Sequence, residues 1–269
     1  MVSGMATPPP AVTGPDRGAV TRPVALVVAL AQERRALQDA LASGPQWWTE
    51  DFRAVSGRLG DQPVIVIQAG IGRERARQAL LATSRWHPLR AAVSLGFAGG
   101  LVDALRPGDL VCPAMVLSDE GALGLPFPAA PGQAAVRTAL SAAGPPVHDG
   151  PLLTVDAPLR TPQVKRAAHQ RTGAVAVDME AAGMAEAAQE LGIPWLALKA
   201  VVDGVEDPLP EFLAACTTGR GDLRWRALLW AFLAGGEQRR TLRRLGHAAQ
   251  QAGLDLRRGL AVALAAWSP

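Results

Sequence analysis

Tyrosine is absent from this 269-residue sequence, and lysine nearly so: Lys165 and Lys199 are its two lysines among 27 basic residues. With alanine abundant, we read this as a coding bias rather than a functional signature. Cysteine is scarce. Cys112 and Cys216 form no metal or redox spacing, so a disulfide framework is excluded and a reducing, cytoplasmic compartment is expected. Long apolar runs are missing. The longest candidate, ALLWAFLA at 227–234, is far short of the ~20 residues of a membrane span. The opening MVSGMATPPPAVTGPDRGAVTRP lacks the apolar stretch of a signal peptide. A strong charge of one sign is also lacking: the net charge is +3, so bulk composition does not point to nucleic acid.

What is present is core. The chain is 49% hydrophobic, enough for one sizeable domain. We expect a disordered leader at 1–22, a catalytic domain at 23–221 and a basic amphipathic helical tail at 222–269. VALVVALA (24–31) is a continuous apolar run, as a strand covered on both faces requires. PVIVIQAGIG (63–72), AAVSLGFAGGL (91–101), GDLVCPAMVL (108–117), GPLLTV (150–155), AVAV (174–177) and IPWLALKAVVDG (193–204) read as further strands. Helical spacing follows the first strand at 32–42 and recurs near 131–142 and over 161–172. Strands alternating with helices predict a three-layer α/β/α fold around a mixed, largely parallel sheet, with a C-terminal helical extension.

In such sheets ligands gather where strands end. The informative spots lie there: Gly70-Ile71-Gly72, Gly96-Phe97-Ala98-Gly99-Gly100, Asp178-Met179-Glu180 and Asp203. Each has an ordinary explanation. Asp178 is placed to cap the following helix, Glu180 to sit in its first turn, Asp203 to make a turn before Gly204, and the glycine pairs to turn tightly. Glu33 opens the first helix.

Order and spacing change the weighing. An acid after the first strand (Glu33) and the GIG are followed by SLGFAGGLVDALRPGDLV (94–111), VDMEAAGMA (177–185) and KAVVDGVED (199–207). This series resembles the nucleoside phosphorylase/nucleosidase superfamily, in particular its methylthioadenosine/S-adenosylhomocysteine nucleosidase branch. GFAGGL, Asp207-Pro208-Leu209-Pro210 and the tail GRGDLRWRALLWAFLAGGEQRRTLRRLGHAA are more narrowly similar to the hopanoid-associated phosphorylases, which release adenine from adenosylhopane. The resemblance implies cleavage of a purine nucleoside's N-glycosidic bond through an oxocarbenium-like transition state, as in glycoside hydrolysis. It makes Asp203 the general acid toward the base, Glu180 the acceptor of the ribose hydroxyls with Met179 packed on the sugar, and Glu33 the group that orients water. Leu159, with Asp203, is left to read the base edge. Gly70, Gly72, Gly96 and Gly99 would let backbone approach the ligand. Asp178 matches a family acid but is equally a helix cap.

Two positions depart from the family pattern. Phosphorylases carry an arginine and a hydroxyl where this chain has Ser94 and Phe97, and neither suits a phosphate dianion. Hydrolysis is therefore favoured. Phosphate stays open as a co-substrate through Arg34, Arg73 or Arg75. Pro158 stands where nucleosidases stack an aromatic on the purine. No metal or cofactor is expected. The partners expected are an adenine nucleoside, small or lipid-linked, and further copies of the chain as a homo-oligomer.

The tail (222–269) holds eight arginines against three acids, or 8 − 3 = +5, with Trp225, Trp230 and Phe232 on its first helix. It reads either as a helical cap with a solvated arginine face or as a peripheral contact with an anionic membrane at its inner face. A nucleoside-binding sensor is the non-enzymatic alternative.

Overall fold

The computed structural model describes residues 22–38, 40–49, 51–118, 127–128, 132–210 and 236–267. Cys216, Trp225, Trp230, Phe232 and the boundary expected at residue 222 lie outside them, as do residues 1–21 of the leader expected at 1–22.

The centre of the sheet is made by the apolar runs. β1 (Val24–Val28) pairs in parallel with β4 (Gln62–Gln68) on one side and β5 (Ala91–Gly100) on the other. All five β1 residues are buried, as the unbroken run predicts. β12 (Trp195–Asp203) runs parallel to β5 for almost its whole length, while the short β11 (Ala176–Asp178) meets the end of β5 antiparallel. The sheet therefore forks at β5. Beyond β11 it continues through β10 (Leu152–Thr154), β7 (Met115–Ser118) and β8 (Phe127–Pro128). On the other side of the fork, β12 leads to β6 (Leu110–Val111) and β9 (Val147–His148).

β2 (Ala42–Trp48) and β3 (Arg53–Leu59) extend the opposite edge as an antiparallel meander on β4. The helix expected over 32–42 ends early: α1 spans only Ala31–Gln38, and β2 begins at Ala42. The strand expected over 108–117 is likewise two strands, separated by residues 112–114 including Pro113, which cannot donate to a ladder.

Helices cover both faces. α2 (Arg73–Ser84) and α5 (Ala181–Glu190) pack together on one side. Small residues in AAGMAEAAQE permit a close crossing: a Cβ on Gly183 would stand 2.0 Å from the Arg73 carbonyl oxygen. α1, α3 (Gln133–Ala143) and α6 (Gly236–Ala266) cover the other face. α4 (Pro162–Thr172) packs Ala168 against a third apolar cluster with Leu153, Val155 and Val177. The three-layer α/β/α arrangement is as predicted.

α6 is integral to this fold. Ala252, Leu256, Leu260 and Ala263 form a buried stripe at helical spacing against β12 and its neighbours. Arg239, Arg240, Arg243 and Arg244 lie exposed nearer its start. No helix among the described residues is long and apolar enough to cross a membrane.

Candidate active site

The fork at β5 gathers the site. Gly99 of β5 pairs with Val177 of β11 and with Asp203 of β12, so the ends of three strands meet at one point. A register shift between Val201 and Asp203 marks an irregularity beside the acid. Such bulges re-aim side chains. A cavity of about 390 Å³ opens here, within the range of small-molecule sites. Glu33, Asp178, Glu180 and Asp203 all line it, among walls that include Ile71, Phe97, Met179 and Leu159.

Glu33 curls back over the start of α1. One carboxylate oxygen accepts from the amides of Ala29 and Leu30, each at 2.8 Å, and the other accepts from Phe97 N at 2.8 Å. Burial raises its pKa, against the lowering effects of these amides and of the Lys199 charge. Three donors occupy three of a carboxylate's roughly four acceptor sites, leaving room for a water.

Asp178 lies two residues before the N-cap of α5 and supplies the side-chain bond to its first amide. Its Oδ2 accepts from Ala181 N at 2.9 Å and from Lys199 Nζ at 2.8 Å, and its Oδ1 accepts from Thr154 Oγ1 at 2.7 Å. Both readings of Asp178 thus coexist: it caps the helix and borders the cavity. Glu180 is not in the first turn of α5. It holds the N-cap position with no side-chain cap bond, and its Oε1 accepts instead from Gly72 N at 2.9 Å, at the start of α2. Burial, with the charges of Asp178 and Glu33, pushes its pKa up to about 8, despite Lys199 and the Gly72 amide.

Asp203 ends β12. Its Oδ2 accepts from Lys165 Nζ at 2.5 Å, and no described residue donates to its Oδ1. Burial raises its pKa, with Lys165 pulling the other way.

The glycines serve these acids. A Cβ on Gly96 would stand 2.7 Å from the Glu33 carboxylate, and one on Gly99 would stand 3.0 Å from Asp203 Oδ2. Gly72, at φ +114°, points its amide at Glu180. Of the four glycines expected to admit the ligand, Gly99 lines the cavity, while Gly70, Gly72 and Gly96 do not.

Lys165 and Lys199, set aside in the sequence as bias, are both wholly buried and each grips one acid. Their rarity was the available signal: where arginine fills the surface, a retained lysine marks a place that needs a compact charge. Four acids against two lysines would leave 2 − 4 = −2 if all were ionised, which the raised pKa of Glu180 relieves. The arginines considered for phosphate turn elsewhere. Arg34 donates to Gln68 at 2.9 Å, Arg73 pairs with Glu186 and Ser118, and neither they nor Arg75 line the cavity.

Four acids thus converge on one cavity at the forked strand ends of an α/β sheet, an arrangement suited to proton transfer and to holding a polar ligand. The sequence model of the phosphorylase superfamily matches residues 23–233, and the chain belongs to that superfamily. Two 5′-methylthioadenosine/S-adenosylhomocysteine nucleosidases are among its relatives. That of Anoxybacillus flavithermus is 25% identical over 197 residues, covering 67% of this chain and 84% of the relative. That of Geobacillus thermodenitrificans is 27% identical over 203 residues, covering 69% and 81%. The fold matches the Neisseria meningitidis nucleosidase in complex with methylthio-immucillin-A at TM-score 0.70 and 19% identity, over 91% of this chain and 99% of that one. It also matches the futalosine hydrolase of Helicobacter pylori at TM-score 0.68 and 15% identity, over 89% and 97%.

Proposed function

We propose that the protein hydrolyses the N-glycosidic bond of a purine nucleoside and releases adenine. The observation that carries this is the convergence of Glu33, Glu180 and Asp203 on one cavity at the strand ends. In this reading the C1′–N9 bond breaks with its electron pair going to the base. Asp203 gives a proton to the base, so that it leaves neutral. Glu180 accepts hydrogen bonds from the ribose hydroxyls and, ionised, offsets the positive charge growing on the sugar. Glu33 orients a water and takes its proton as the oxygen bonds to C1′. Solvent then returns a proton to Asp203 and removes one from Glu33. The names of the relatives support this class of reaction. Water rather than phosphate is supported by Phe97 in the wall, by the carboxylates around it and by the engagement of Arg34 and Arg73 elsewhere.

For the substrate we favour adenosylhopane, giving ribosylhopane. The resemblance of GFAGGL and Asp207-Pro208-Leu209-Pro210 supports it, as do the apolar walls near Leu209, Pro210 and Leu245. Exposed Arg239, Arg240 and Arg243 would then meet anionic headgroups. The deciding assay measures free adenine from adenosine, methylthioadenosine and an adenosyl lipid, with and without phosphate. Adenine release that ignores phosphate and is fastest on the lipid is expected. Phosphate-dependent release would make the protein a phosphorylase. Tight binding without release from any of them would make it a sensor.

A further inference from the structure

The ammonium of Lys165 has three protons and three acceptors. It donates to Asp203 Oδ2, to the Gly204 carbonyl at 2.7 Å and to the Asp207 carbonyl at 2.9 Å. It is wholly buried and lies outside the cavity wall. Its helix, α4, begins directly after the wall residues Pro158, Leu159 and Arg160, with Thr161 as N-cap and Pro162 in the first turn. A backbone bond from Leu209 N to Arg160 O, 2.9 Å, ties that loop to the segment following Asp203. One buried cation thus fastens the acid, the turn after it and the start of α4 together.

We propose that Lys165 is a positioning residue that commits Asp203 Oδ2, so that Oδ1 alone carries the proton passed to the leaving base. The inference rests on the reading of Asp203 as the general acid. An ammonium cannot accept a hydrogen bond, so a proton on Oδ2 would face a donor. The proton is therefore placed on Oδ1, the oxygen that no described residue engages. When it leaves, the ammonium stabilises the carboxylate left behind. Burial alone would keep Asp203 protonated but make it a reluctant donor; Lys165 restores acid strength without touching the ligand. The other charges that bear on Asp203 are Asp207 from the following loop and Arg244 from α6, which bind each other. Gly99 and Val177 bring none.

The test compares wild type, Lys165→Met and Asp203→Asn on an adenine nucleoside and on p-nitrophenyl riboside, whose leaving group needs no proton. Lys165→Met should lower kcat on the nucleoside roughly tenfold or more while leaving KM within about threefold. It should also move the alkaline limb of the kcat/KM profile to higher pH, because Asp203 loses its counter-charge, and it should spare the nitrophenyl riboside. Equal losses on both substrates, or an unmoved alkaline limb, would overturn the proposal and make Lys165 purely structural. Should the Met variant not fold, Lys165→Arg serves. It keeps the charge but cannot repeat the three-acceptor geometry, so the nucleoside rate should fall while the nitrophenyl rate stands, and no loss on the nucleoside overturns the idea. If Asp203→Asn is slow while Lys165→Met matches wild type, only this proposal fails. If Asp203→Asn is itself unimpaired, the general-acid reading fails first.

Discussion

The site holds two buried aspartate–lysine pairs that look alike in composition and differ in what they leave open. At the end of β11, Asp178 has both oxygens occupied, by Thr154, Lys199 and the amide of Ala181. At the end of β12, Asp203, which lines the cavity, has one oxygen clamped by Lys165 and the other without a donor among the described residues. The first pair is engaged on both oxygens and holds β11 to α5 and β12. The second keeps one acceptor in reserve. An ion pair in a site is thus not evidence of chemistry; an unfinished set of hydrogen bonds around it is the better sign.

The largest effect expected from breaking this contrast is on stability. Asp178→Ala leaves the Lys199 ammonium buried without its partner and removes a helix cap, and should cost about 3–5 kcal/mol in chemical denaturation. A variant as stable as wild type would show that the pair is not structural. Asp203→Asn keeps an oxygen for Lys165, so its effect should appear in rate: a fall of roughly 10² or more in kcat, equivalent to about 2.7 kcal/mol of barrier, with a smaller change in KM. Unchanged turnover would return Asp203 to the role of a turn residue.

Glu180 sharpens the comparison through pH. Its folded pKa of about 8 exceeds the ordinary 4.5, so the folded state binds a proton that the unfolded chain releases. Its contribution to stability is full below 4.5 and is lost as pH rises toward 8. Melting curves of wild type and Glu180→Gln should therefore diverge across that window, with wild type losing ground as pH rises. Parallel curves would mean that the carboxyl is already ionised. The smallest effect belongs to the half-exposed Arg244, paired with Asp207 at the edge of the Lys165 cluster. Arg244→Gln should change stability by less than about 1 kcal/mol; a larger loss in thermal unfolding would place it in the core of the cluster.

Much of this arrangement was legible in the sequence. The apolar runs of β1, β4, β5 and β12 and the acids at their ends were readable because burial on both faces leaves a continuous hydrophobic signature. β2 and β3 were not. ASGPQWW carries Gly44 and Pro45, and RAVSGRL mixes charge with Gly57, so neither presents a clean period. The lysines escaped for another reason. Lys165 and Asp203 lie 38 residues apart, and nothing local to either announces the partner. The two roles of Asp178 and Glu180 were separable only in three dimensions, since two acids two residues apart at a helix start look alike in a string.

The space above Gly96 and Gly99 is held by the carboxylates of Glu33 and Asp203. For genetics, this means that a random screen for lost activity should score both glycines beside the acids, although neither carries a functional group. It also predicts non-additivity in stability: Gly96→Ala should lower the melting temperature less in a Glu33→Asp background than in wild type, because the shorter acid gives back room that the new methyl group takes.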